Sequence, residues 1–209
     1  MDEPRPLPRS FFERQTLRVA KELLGKYVVR ETDGERLSAR IVDVEAYVGF
    51  NDRASHASRG RTKRTDIMFG LSGLAYVYLI YGMYHCLNLV TEAVDYPAAV
   101  LIRGIEVCQK EREPTGAPVR IEGPGRTCRF LAVDRTLNGL DTTLGQDLWI
   151  EDRGEAMAPS YIQALPRVGV DYAGDWAKKP WRFCIERHSK KRSRRRNISS
   201  SPHKNHPSS

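Results

Sequence analysis

One carboxylate stands out by its position. Glu45 falls inside the run Ile41-Val-Asp-Val-Glu-Ala-Tyr47, whose other members are mostly of the kind that fill a core. As a strand, the run puts Asp43, Glu45 and Tyr47 on one face and Val42, Val44 and Ala46 on the other. Taken alone, that pattern fits an acidic residue on the solvent face of a half-buried strand. A carboxylate in such a setting can also take a proton from water or stabilise developing positive charge. A second concentration is aromatic with polar handles: Tyr47, His56, Tyr76, Tyr78, Tyr81 and Tyr84, with Gly82-Met83 between the last two. Tyrosine at alternate strand positions serves ordinary packing. The same rings offer π faces for stacking a nucleobase.

The surrounding pattern supplies elements to hold these groups. Residues 16–24 have apolar side chains at helical spacing, with Thr16 placed to cap the start and Gly25 the end. Residues 27–31 and 37–48 read as a β-hairpin around the dipeptide Asp33-Gly34, which carries Glu45 toward the far end of the second strand. Residues 50–73 are rich in Arg, Ser, Thr, Asp and Gly and read as a long surface loop of the functional or disordered kind. Residues 75–81 and 84–90 form two aromatic-rich strands joined tightly at Gly82-Met83, and residues 98–105 a buried strand. A short helix is expected at 106–113, a Gly/Pro turn leading into a helix at 123–132, and late strands at 148–151 and 181–185. There is no internal repeat.

Length and composition bound the rest. A chain of 209 residues that is 40% hydrophobic accommodates one core. Its apolar runs fall far short of the roughly 20 residues of a membrane helix, and the N-terminus has no apolar signal core, so a soluble intracellular protein with no membrane partner is expected. Cys86, Cys108, Cys128 and Cys184 are scattered without a C-x-x-C pair, which argues against a zinc ribbon or a redox dithiol and for reduced thiols. The net charge is +8, yet residues 187–209 hold eight Lys and Arg and no acid, so residues 1–186 are balanced. Bulk charge therefore does not establish nucleic-acid binding by the body of the protein. The division expected is a flexible N-terminus (1–10), one domain (11–186) and a disordered basic tail (187–209).

Several segments, in order and spacing, resemble the signatures of the alkyladenine (3-methyladenine) DNA glycosylase family. They are Ile41-Val-Asp-Val-Glu-Ala-Tyr-Val-Gly49, His56, Arg59-Gly60-Arg61-Thr62, Tyr76-Val-Tyr-Leu-Ile-Tyr-Gly-Met-Tyr84, Asn88, Leu101-Ile-Arg103, Gly123-Pro-Gly125, Arg167-Val-Gly-Val170 and Lys179-Pro180. The resemblance runs from about residue 11 to residue 185. The block 76–84 together with Glu-Ala-Tyr47 is its most specific part. The basic tail has no counterpart in it.

The resemblance implies a monofunctional glycosylase that flips a damaged purine out of duplex DNA and hydrolyses its glycosidic bond, starting base excision repair. Candidate bases are 3-methyladenine and 7-methylguanine, with hypoxanthine and ethenoadenine beyond them. It gives Glu45 the task of activating water, with Arg103 helping to hold water and glutamate. Tyr47, His56 and Tyr78 become the walls of the base pocket, Asn88 the group that excludes normal guanine, and the Val168 backbone a further contact. Tyr81 becomes the wedge that fills the space left by the flipped nucleotide, with Met83 beside it. No lysine occupies the expected site, so no strand-nicking lyase activity is expected, and no metal or organic cofactor.

The implied fold is α+β: a single domain with a curved, mainly antiparallel sheet, surrounding helices and a protruding β-hairpin that inserts into DNA. The expected partner is double-stranded DNA containing damaged purines, and the expected state a monomer. Location would be the cytoplasm and nucleoid in a bacterium or the nucleus in a eukaryote. The competing reading is a non-catalytic nucleic-acid-binding module on the same scaffold, which has no use for Glu45 and Arg103 together.

Overall fold

The 14-residue strand β2 (Glu35–Val48) organises the molecule, because it is long enough to pair with three others. β1 (Tyr27–Thr32) returns along it through the two-residue turn at Asp33-Gly34. β5 (Ala98–Val107) pairs antiparallel with its other edge. Pairing with β1 reaches Arg40; from Asp43 the short strand β9 (Arg182–Ile185) takes over that edge. Glu45 therefore lies mid-sheet, opposite Leu101 on one side and Arg182 on the other.

The computed structural model describes residues 5–107, 118–155 and 157–186. Among these, β3 (Ala75–Ile80), β4 (Tyr84–Val90), β6 (Val119–Glu122), β7 (Leu148–Glu151) and β8 (Ile162–Leu165) complete a nine-stranded sheet. The main order is β3-β4-β5-β2-β1-β7, with β6 beside β5 and β8 beside β9, every pairing antiparallel. Three helices, α1 (Arg9–Phe12), α2 (Thr16–Leu23) and α3 (Pro124–Phe130), accompany this curved open sheet. The fold is α+β, as expected. α2 buries Val19, Ala20 and Leu23 in a core shared with Ile41, Leu87, Ile102, Ile105, Leu148 and Ile150. α3 packs on β4 and β5. That approach depends on Gly125: a Cβ there would stand 2.9–3.1 Å from the Tyr84 side chain.

Several local expectations are corrected. Thr16 is the first residue of α2 and not its cap; Gln15 holds the cap position without a side-chain bond. The Thr16 N–H and hydroxyl both donate to Glu92 Oε1, at 3.0 and 2.5 Å, so a distant acid does the capping. The helix expected at 106–113 does not begin there, because β6 pairs with β5 through Val107 and holds Glu106 and Val107 extended. The rest of that stretch, 108–113, lies outside the described residues.

Residues 50–73 are not a plain surface loop. They contain 3-10 turns at His56–Arg59 and Asp66–Phe69 and bury Asp52, Ala54, Ser55, Ala57, Thr65, Met68 and Phe69. Side-chain acceptors make this possible: Asp52 takes the N–H groups of Val48 and Ala54, Ser55 that of Ala57, and Thr65 that of Thr62. Near the start of the described residues, Leu7 is buried and its N–H donates to Ile150 O at 2.7 Å. The tail expected from residue 187 lies outside the described residues. No helix among the described residues is long and apolar enough to cross a membrane.

Candidate active site

Strand alternation delivers Glu45 to the floor of a cavity of about 430 Å³ whose lining comes from β2, β3, β4, β5, the 50–73 segment and residues 168–172. The Glu45 side chain is fully buried. Its Oε1 accepts the Val168 N–H at 2.9 Å and lies 3.4 Å from Arg103 Nη1; its Oε2 accepts the Tyr47 hydroxyl at 2.9 Å. Two hydrogen-bond donors and the Arg103 charge hold the carboxylate and leave lone pairs for a further donor such as water. Burial raises the Glu45 pKa, while the Arg103 charge, the Val168 N–H and the Tyr47 hydroxyl pull it the other way; the net direction is upward. Tyr47 itself is pushed well up, first by burial and then by the adjacent Glu45, so it stays a donor at neutral pH.

The walls are aromatic. His56 and Tyr78 meet edge to face with centroids 4.6 Å apart, and Tyr76 lies 5.2 Å from Tyr78. His56 Nδ1 is 3.1 Å from the Tyr76 hydroxyl, and Arg64 Nη2 is 3.5 Å from His56 Nε2. Burial, reinforced by Arg64 and Arg59, pushes the His56 pKa down to about 4, so the ring is neutral at pH 7. A guanidinium facing Nε2 places the single ring proton on Nδ1. The Arg64 guanidinium also lies over the Tyr78 ring, 5.1 Å from its centroid. Asn88 is buried and donates to Tyr76 O at 3.0 Å and Cys86 O at 3.4 Å.

At the cavity mouth β3 and β4 project as a hairpin. Met83 N–H donates to Ile80 O at 3.1 Å, closing a turn whose central residues, Tyr81 and Gly82, have φ of 49° and 69°. Tyr81 is 86% exposed and Met83 65%, the reverse of where burial would place such side chains. A tyrosine at positive φ carries strain of about 1–3 kcal/mol. Across the mouth stand Val168 and Tyr172, both exposed, with the Tyr172 hydroxyl donating to Ala54 O at 3.2 Å.

The structure thus brings Glu45, Arg103, Tyr47, His56, Tyr78, Asn88 and Val168 around one cavity with Tyr81 at its edge; Met83 sits at the hairpin tip without lining it. Sequence reasoning missed the groups that hold these in place. Arg167 and Asp52, both fully buried, form a two-pronged ion pair at 2.5 and 2.8 Å, and Arg167 also donates to Ala46 O and Trp176 O. Arg182 grips Asp43 in the same way, at 3.0 and 2.8 Å. Arg64, outside every motif quoted above, is a third. Among the described residues no cluster of three or more His, Cys, Asp or Glu could hold a metal ion.

Comparison with known proteins places this chain in a class. The family described as Methylpurine-DNA glycosylase (MPG) matches residues 10–189. A protein of Methanocella arvoryzae is 50% identical over 184 residues, covering 85% of this chain and 90% of its own. One of Anaeromyxobacter sp. is 48% identical over 181 residues (86% and 89%), and one of Legionella pneumophila strain Corby 46% over 182 (87% and 95%). Each carries the name "Putative 3-methyladenine DNA glycosylase". The class is that of DNA glycosylases, hydrolases of the bond between a base and its sugar. Within it, this chain belongs to the methylpurine-DNA glycosylase family.

Proposed function

We propose that the protein turns an alkylated or otherwise damaged purine out of duplex DNA into this cavity and hydrolyses its N-glycosidic bond with a water activated by Glu45. The observation that carries the reading is the carboxylate itself: fully buried, held by two hydrogen bonds and an arginine charge, and opening on an aromatic slot. Placing an acid there opposes folding, a cost that a catalytic role accounts for. Glu45 takes the proton of the attacking water and stabilises the positive charge that builds on the sugar as the base leaves. Arg103 and the Val168 N–H favour its ionised form against the effect of burial and aim it.

Tyr47, His56 and Tyr78 form the slot for the flat ring, and a neutral His56 does not repel a cationic 3- or 7-alkylpurine. Such a base gains cation–π attraction of about 0.5–2 kcal/mol. It displaces Arg64, which holds the Tyr78 face by the same attraction. Asn88, with its amide committed to two backbone carbonyls, crowds the exocyclic amine of normal guanine. No lysine lines the cavity among the described residues, so no covalent imine with the sugar and no strand nicking follow.

The test is release of free 3-methyladenine and 7-methylguanine from methylated duplex DNA in the presence of EDTA, comparing wild type with Glu45→Gln. Release by the wild type and not by the variant is the expected result. A folded wild type that binds DNA and releases nothing overturns the reading in favour of a binding module. Rapid nicking with a borohydride-trapped adduct overturns the monofunctional part.

The strain at Tyr81 gives a separate prediction. Tyr81→Gly relieves an unfavourable φ, so stability holds or rises by up to about 1 kcal/mol. Excision from duplex DNA nevertheless falls roughly tenfold or more, because nothing offsets the few kcal/mol of unstacking. The deficit shrinks when the lesion is in single-stranded DNA. An equal deficit on both substrates would remove the wedge assignment.

A further inference from the structure

We infer that Asp43 and Arg182 are positioning residues for the reaction: Arg182 occupies both oxygens of Asp43 and so keeps Arg103 turned toward Glu45. This rests on the reading of Glu45 as the base and extends it to two residues outside the cavity lining.

Three strands meet at this point. The pairing of β2 with β5 shifts register on both sides of Asp43, which marks a bulge, and the residue opposite is Gly104. A Cβ on Gly104 would stand 3.0 Å from the Asp43 Cβ and 3.4 Å from Ile121 O. Glycine therefore lets the bulged Asp43 settle between the two strands that carry the arginines, Arg103 on β5 and Arg182 on β9. Arg182 grips the buried carboxylate with Nε and Nη2, at 3.0 and 2.8 Å. Arg103 Nε stands 3.7 Å from Asp43 Oδ2, while its Nη1 is 3.4 Å from Glu45 Oε1.

Two buried carboxylates thus share one guanidinium, and a second guanidinium decides the division. Without Arg182, Asp43 would be a buried anion with Arg103 beside it, and the cost of leaving it uncompensated draws Arg103 across. Glu45 then loses the cation that opposes its desolvation. Without the Asp43 charge the reverse holds, and Arg103 serves Glu45 alone.

The groups around Glu45 are Asp43 and Tyr47 from β2, Tyr78 from β3, Cys86 from β4, Arg103 from β5, Arg182 from β9 and the Val168 N–H. Burial pushes Tyr47 and Tyr78 up, and Cys86 up to about 11, so these three stay neutral near pH 7. Asp43, Arg103 and Arg182 supply the charge. Asp43 raises the Glu45 pKa and Arg103 lowers it.

The experiment is the pH profile of single-turnover release of 7-methylguanine from methylated duplex DNA by the full chain. It compares wild type with Arg182→Met, Asp43→Asn and the double variant, with melting temperature and DNA affinity measured alongside. The acid limb is expected to move to higher pH in Arg182→Met, to lower pH in Asp43→Asn, and back toward wild type in the double variant, with DNA affinity unchanged. Each unit of movement changes the rate on the acid side about tenfold. Limbs that stay in place, or move the same way, in folded variants overturn the inference. If Arg182→Met does not fold, Asp43→Asn decides alone: a lower limb supports the inference and an unmoved limb overturns it. Full activity in Glu45→Gln would mean that the base reading has failed; an inactive Glu45→Gln with unmoved limbs would mean that only the positioning role has.

Discussion

Glu45→Gln is expected to slow base release by roughly 10²- to 10⁴-fold under single-turnover conditions, the range a positioned general base contributes, while lesion-DNA affinity stays near that of wild type. The substitution is close to isosteric. Its carbonyl can still accept the Val168 N–H, and its NH₂ can donate to the Tyr47 oxygen, so the slot keeps its shape. What disappears is the lone pair that, in the proposed mechanism, takes a proton from water.

Two pH dependences follow from the same group. The Glu45 pKa is raised above its ordinary 4.5, chiefly by burial. Because the proposed base works ionised, the rate is expected to fall as pH drops through that raised value, with the acid limb above 4.5. Stability has the opposite sign. A raised folded-state pKa means that the fold prefers the protonated form, so the Glu45 contribution is fully present below the unfolded value and is lost as pH rises through the folded one. Glutamine, neutral throughout, should therefore raise the melting temperature more at pH 8 than at pH 4. A folded Glu45→Gln protein working at the wild-type rate would end the assignment. Equal melting shifts at both pH values would show that the carboxylate is not strained at neutral pH.

What could be read from the chain alone was set by range along the sequence. The strand carrying Glu45, the hairpin carrying Tyr81 and the turn at Asp33-Gly34 announce themselves within ten residues, because alternation and turn chemistry are local. The same locality misled at Glu106 and Val107, where a charged, helix-like stretch begins inside β5; pairing with β6 overrode propensity there. It misled again at Thr16, whose capping partner Glu92 lies 76 residues away. The pairs that hold the site are longer in range still: Arg167 and Asp52 are 115 residues apart, Arg182 and Asp43 139. Nothing local marks an arginine as half of a buried fork. One usable signal was present, the acid Asp43 two residues from Glu45 on the same strand face. Two carboxylates so placed in a buried strand demand compensating cations from elsewhere in the chain.

The Arg167–Asp52 pair should show the largest effect on stability. Both side chains are fully buried, and Asp52 already accepts the N–H groups of Val48 and Ala54. Arg167→Met removes the cation and leaves the carboxylate in the core, a change that costs about 3–5 kcal/mol out of a total of roughly 5–15. For a domain of this size that lowers the melting temperature by roughly 6–20 °C. Arg167→Lys keeps the charge but not the fork and should lose less.

Function should fall as well, since this pair ties together both sides of the cavity. Asp52 sits at the head of the segment that presents His56. Arg167 immediately precedes Val168, whose N–H holds Glu45, and its guanidinium lies 4.8 Å from the Tyr47 ring centroid. Arg167→Met assayed well below its melting temperature should show a reduced single-turnover rate along with weaker lesion binding. Pairing it with Asp52→Asn removes the stranded charge and should restore part of the lost stability, yet little of the rate, because the loops remain untied. Thermal and urea denaturation of the four proteins in this cycle, with single-turnover rates at 15 °C, check both halves. A double variant that recovers the rate together with the stability would show that the pair supports the fold without setting the geometry of the site.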